Sequence, residues 1–149
     1  MITLHTWCSL LSYAAFLAAF VTGLLFLIQE RQLKRKRMGM LFHQLPSLET
    51  LDRLNFLAIS VGFGLLTVGA TSGFVQAAML RGSWWTGDPK EYLTVCLWAG
   101  YLMLWALRRR ATLRGRRVAL LSVAGFTLVL LTFLGAGHLV PSLHPFVHV

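Results

Sequence analysis

Residues 6–37 read TWCSLLSYAAFLAAFVTGLLFLIQERQLKRKR. From Thr6 to Ile28 there is no Asp, Glu, Lys or Arg. At about 1.5 Å per residue that length of helix crosses the roughly 30 Å hydrocarbon core of a bilayer. Glu30 and Arg31 close the apolar run, and Lys34, Arg35, Lys36 and Arg37 follow it. Positive charge at that end marks the cytoplasmic side of a span, so this helix is expected to enter with its N-terminus outside. A cleaved signal peptide would carry its charge before the apolar core and small residues after it, the reverse of the order here.

The rest of the chain repeats the pattern. Of the 14 Lys and Arg, all but Arg81 and Lys90 lie either between Arg31 and Arg53 or between Arg108 and Arg117. Both basic stretches stand between apolar runs, as cytoplasmic loops do, and this placement accounts for the net charge of +9 without nucleic acid. The composition agrees: 56% hydrophobic and 13% charged, against about half and about a quarter in soluble domains. The expected architecture is all-α, an integral membrane four-helix bundle with both termini outside. Helices are expected at about 6–28, 55–80, 89–107 and 118–140, in one transmembrane domain spanning 1–149.

The connecting segments carry their own signals. Residues 30–53 read as a polar inner loop, in which Leu45-Pro46-Ser47 is a turn and Ser47 can cap a short amphipathic helix. Thr50 stands where a full capping box wants Glu or Gln. The second span offers Gly62, Gly64, Gly69, Ala70 and Gly73 for close helix approach. Residues 81–91 form a short outer loop holding Trp84 and Trp85. Asp88, Pro89 and Glu91 suit the N-cap, first and third positions of the next helix. Cys8 and Cys96 lie in apolar runs outside any C-x-x-C pattern and read as buried thiols, with a bridge between them as the lesser alternative.

The topology sorts the histidines. His5, His138, His144 and His148 fall on the outer side, and His43 falls in the first inner loop as a solvated surface residue. His5 opens the first span and His144 follows the fourth, so the two can face each other across a gap with Trp84 and Trp85 beside it. Two imidazoles from opposite sides can fill both axial positions of a haem iron, and aromatic faces suit the macrocycle between them. The plainer alternative is that these rings anchor helix ends at the water edge of the membrane. His144 and His148 are four apart, but Pro145 between them argues against a shared helix face. The only acids are Glu30, Glu49, Asp52, Asp88 and Glu91, and no nucleophile and base or carboxylate pair stands out, which disfavours hydrolase chemistry.

Several segments in order carry a family resemblance. They are His5 heading an L-S-Y-A-A-F helix, Gln29-Glu30-Arg31-Gln32-Leu33-Lys34, Leu45-Pro46-Ser47-Leu48-Glu49-Thr50-Leu51-Asp52, Gly62-Phe63 and Gly73. After these come the Trp-bearing loop ending Asp88-Pro89-Lys90-Glu91, Gly135, and Leu143-His144. Over nearly the whole chain this resembles the C-terminal part of the cytochrome c assembly family, haem-handling membrane proteins of the CcsA and HemX type. The resemblance implies a b-type haem, held non-covalently on the outer face of a bacterial inner membrane with His5 and His144 as axial ligands. It carries over Trp84, Trp85 and Asp88 as loop members, and Arg81 or Lys90 can meet a propionate. The family's loop usually has tryptophan where this chain has Gly87.

The function so implied is haem handling in cytochrome c maturation, with other membrane proteins and a c-type cytochrome as partners and no independent catalysis. The alternative is a haem-bearing or structural membrane subunit of a respiratory or photosynthetic electron-transfer complex.

Overall fold

The computed structural model describes residues 2–36, 39–85, 87, 89–110 and 114–139. Among these residues the fold is all-α. Four long helices, α1 (Ile2–Lys34), α3 (Leu48–Arg81), α4 (Pro89–Arg109) and α5 (Arg116–Leu139), are accompanied by one short helix, α2 (Met40–Gln44). His43 lies exposed on α2.

The first two long helices overrun the apolar stretches that announced them. α1 continues through Lys34, aided by an ion pair between Glu30 and Lys34 one turn apart at 2.9 Å and by cations in its last turn, where the helix dipole favours them. The chain leaves the helix at Lys36, where φ is +51°. α3 takes in residues 48–53, assigned from the sequence to the inner loop. Its N-cap is Ser47, whose hydroxyl accepts from the Thr50 N–H at 3.3 Å. It ends at Gly82, left-handed at φ +68°, whose N–H donates to the Ala78 carbonyl at 3.0 Å. At 33 and 34 residues, α1 and α3 are each roughly 50 Å long, longer than a bilayer core is thick. Both have the length and apolarity to cross a membrane, over Thr3–Lys34 and Leu48–Leu80.

The long helices pack in a ring. α1 lies most extensively against α3 and next against α5, while α4 closes the ring by touching α3 and α5. Across its centre Phe16 of α1 stacks on Tyr101 of α4, centroids 3.8 Å apart, within a core that includes Ala19, Ile59, Leu66, Leu104, Val118 and Phe126. Of the glycines expected to bring helices together, Gly62, Gly69 and Gly73 do so. A β-carbon on Gly62 would fall 2.6 Å from the Phe16 ring, whereas Gly64 meets nothing within 4 Å.

Two features show what surrounds the bundle. Leu10, Leu17, Val21, Leu57, Val61, Val68, Met103, Leu128 and Leu131 all point outward, an apolar exterior that water would penalise and lipid would not. The protein is accordingly a membrane protein. Inside, a polar contact set joins three of the helices. Buried Asn55 donates to the Ala19 carbonyl at 2.6 Å and the Ser122 hydroxyl at 3.0 Å, tying α3 to α1 and α5. At the basic end Asp52 of α3 pairs with Arg108 of α4 and accepts from the Gly115 N–H at 3.2 Å, while the Arg108 guanidinium lies over the Phe56 ring. The thiols are free. Cys8 is buried, as expected, but Cys96 is exposed on α4, facing away from the core.

Candidate functional site

His5 stands in the first turns of α1, at the end of the bundle away from the basic segments, and its ring lies against α3. The Nδ1 atom is 2.7 Å from the Gly69 carbonyl oxygen. A carbonyl can only accept, so Nδ1 carries the proton and donates it. In the neutral ring this leaves Nε2 with its lone pair available. Gly73, one turn further along α3, makes room: a β-carbon there would fall 2.9 Å from Cε1 and 3.0 Å from Nδ1 of the imidazole. A ring held through one nitrogen by a backbone carbonyl is how proteins orient a histidine that ligates metal through the other.

The tryptophan loop lies at this same end, because α3 runs antiparallel to α1 and carries the chain past Gly73 to Gly82. Trp85 is anchored. It stacks on Phe74 of α3 with centroids 6.2 Å apart and planes 10° from parallel, and meets Tyr92 of α4 edge-on at 4.9 Å. The Ser83 hydroxyl fixes the turn beneath it, donating to the Trp85 carbonyl at 2.6 Å. Among the described residues Trp84 has no such ring partner, and it is 67% exposed. Phe74 directly follows Gly73, so His5 and Trp85 contact consecutive residues of α3, about 100° apart around the helix.

The start of α4 is organised by Glu91, whose carboxylate accepts from the Gly87 N–H at 3.1 Å. Gly87 has φ +76°, a conformation costly for a residue with a side chain. Glycine at this position, where the resemblance implies tryptophan, thus fits the local backbone.

The structure brings together His5, Trp84 and Trp85 at one end. Arg81 closes α3 and Lys90 lies in the first turn of α4, at the same end. Asp88 and His144 fall outside the described residues, as does His148. α5 begins at the basic end, where Arg116 lies 3.9 Å from Glu30, and runs back toward the His5 end. Among the described residues no three His, Cys, Asp or Glu side chains gather as a metal site would require. The donor set here is a single oriented imidazole. Sequence reasoning did not find Gly69 and Gly73 as the seat of His5, nor Phe74 and Tyr92 as the clamp on Trp85. Spacing contained a signal for the second pair only, as aromatics flanking the loop.

A family profile described as Cytochrome C assembly protein matches residues 1–144. The chain belongs to the cytochrome c assembly protein family. Among its relatives, the cytochrome c biogenesis protein CcsA of Prochlorococcus marinus strain MIT 9215 is 41% identical over 98 residues, 66% of this chain and 32% of that protein. The CcsA proteins of strains MIT 9303 and NATL1A are 40% and 38% identical over 98 residues, each match covering 66% of this chain and 31% of the relative. The chain thus spans about a third of the length of these members of the cytochrome c assembly family. No solved structure matches it.

Proposed function

We propose that this protein holds a b-type haem for cytochrome c maturation, at the bundle end formed by His5 and the tryptophan loop. The observation that carries the reading is the His5 hydrogen bond to the Gly69 carbonyl, which leaves Nε2 as the ligating nitrogen. His144 would hold the iron together with His5, Trp84 and Trp85 would offer apolar faces to the macrocycle, and Arg81 or Lys90 would meet a propionate. Asp88 completes the loop. Haem, when bound, would supply a metal centre able to change redox state. The chain's own residues orient the ligand and shield the ring.

The membrane arrangement in this reading has four spans in a bacterial inner membrane, with the basic ends cytoplasmic and both termini outside. The arginine and lysine placement supports it. A reporter fused after Val149 should be active outside the cytoplasm, and activity inside would reverse the arrangement.

The direct test is a visible spectrum of the purified protein, oxidised and reduced, after expression with haem supply. A six-coordinate, low-spin haem is expected, and no haem spectrum would overturn the proposal. Gly73→Val should weaken haem retention by about tenfold to a hundredfold, the usual penalty for disturbing a group that orients a metal ligand, while Gly64→Val should not. Equal retention in the two variants would remove the Gly73 seat from the argument.

The anchored position of Trp85 between Phe74 and Tyr92 favours a second reading, a fixed haem subunit of an electron-transfer complex. Passage of haem to an added apocytochrome c separates the two: transfer supports maturation, and retention through reversible redox cycling supports the electron carrier.

A further inference from the structure

At the basic end, a groove of about 340 Å³ runs between α1 and α5, lined by Leu24, Leu27, Ile28, Leu120 and a charged rim. The rim consists of Glu30, Arg31, Lys34 and Arg116. Its order along the helix matters. Leu24 to Lys34 covers roughly 15 Å of α1, and the lining changes along it from aliphatic to charged, as a phospholipid does from acyl chain to headgroup. Three cations face one carboxylate, and Glu30 is already shared between Lys34 at 2.9 Å and Arg116 at 3.9 Å. Arg31 has no carboxylate partner among the described residues. α5 begins at Arg116 with no acidic residue in its first turn, so the positive end of its dipole is not offset by a side chain there.

We propose that this groove binds an anionic phospholipid of the cytoplasmic leaflet, its phosphate on Arg31 and Arg116 and the upper part of an acyl chain along Leu24, Leu27, Ile28 and Leu120. The apolar floor selects a lipid over a free anion, and the uncompensated cations select an anionic headgroup over a zwitterionic one. The inference rests on the orientation that puts the basic ends in the cytoplasm and is independent of haem, because lipid retention is read without it.

The test is native mass spectrometry of the purified protein exchanged into nanodiscs that contain equal phosphatidylglycerol and phosphatidylcholine, then released. Preferential retention of phosphatidylglycerol is expected. It should fall about fivefold in Arg31→Gln, an exposed position whose loss leaves the fold intact, and on the order of thirtyfold in the double variant Arg31→Gln/Arg116→Gln. Arg53→Gln, outside the groove and 81% exposed, should retain lipid as the wild type does. Equal retention of the two lipids, or an Arg31→Gln profile matching wild type, would overturn the proposal. Displacement of bound lipid by excess inorganic phosphate would also overturn it, showing a bare anion site instead.

Discussion

His5→Ala should abolish the six-coordinate haem spectrum of the purified protein, with haem retention reduced by at least about a hundredfold. That figure is the upper end of what losing an orienting group costs a metal site, and the substitution removes the ligand itself. Added imidazole should restore part of the low-spin spectrum, because the cavity left beside Gly69 and Gly73 keeps its carbonyl acceptor. Rescue separates a lost ligand from a lost fold, since a misassembled bundle would not respond. His144→Ala should produce the same loss. A His5→Ala protein that keeps an unchanged six-coordinate spectrum would refute the assignment of this nitrogen.

The second large effect is at the opposite end. Arg108→Ala should destabilise the bundle by about 1–3 kcal/mol, the cost of leaving a partly buried carboxylate without its charged hydrogen-bond partner. Here the partner left behind is Asp52, whose side chain is 21% exposed and otherwise held by the Gly115 N–H. Asp52→Asn should cost less, because an amide oxygen can still accept from Gly115 and Arg108 keeps its stacking on Phe56. The measurement is loss of monodisperse protein on heating in detergent. Equal melting of Arg108→Ala and wild type would mean that the pair contributes nothing to joining α3 and α4.

This ion pair also explains where sequence reading stopped short. The uncharged run starts the second span at Asn55, because Glu49, Asp52 and Arg53 interrupt the apolar sequence before it, yet α3 begins at Leu48. Hydropathy weighs each charge as if it faced water, and it cannot register that Asp52 is neutralised by Arg108, 56 positions away. The helical spacing was present all the same: Leu51, Asn55 and Ile59 are buried at intervals of four. Within the glycine-rich span, composition does not distinguish Gly73, which accommodates an imidazole, from Gly64, which meets nothing. The helical class was legible because long uncharged runs and clustered arginines report on the solvent, which each residue meets locally. His5 and the tryptophans were legible as residues of one bundle end. Their seats were not, since Gly69 is 64 positions from the ring it holds.

The hydrogen bond between His5 and Gly69 has a consequence in time. The acceptor lies on a helix that leaves the ribosome only after α1 and the intervening basic segment, so early in synthesis the imidazole has no carbonyl to fix its tautomer. Nε2 is singled out and aimed as the free nitrogen only once the first two long helices have docked. On the proposed reading, the orientation that favours haem is therefore a property of the paired helices and not of the first helix alone.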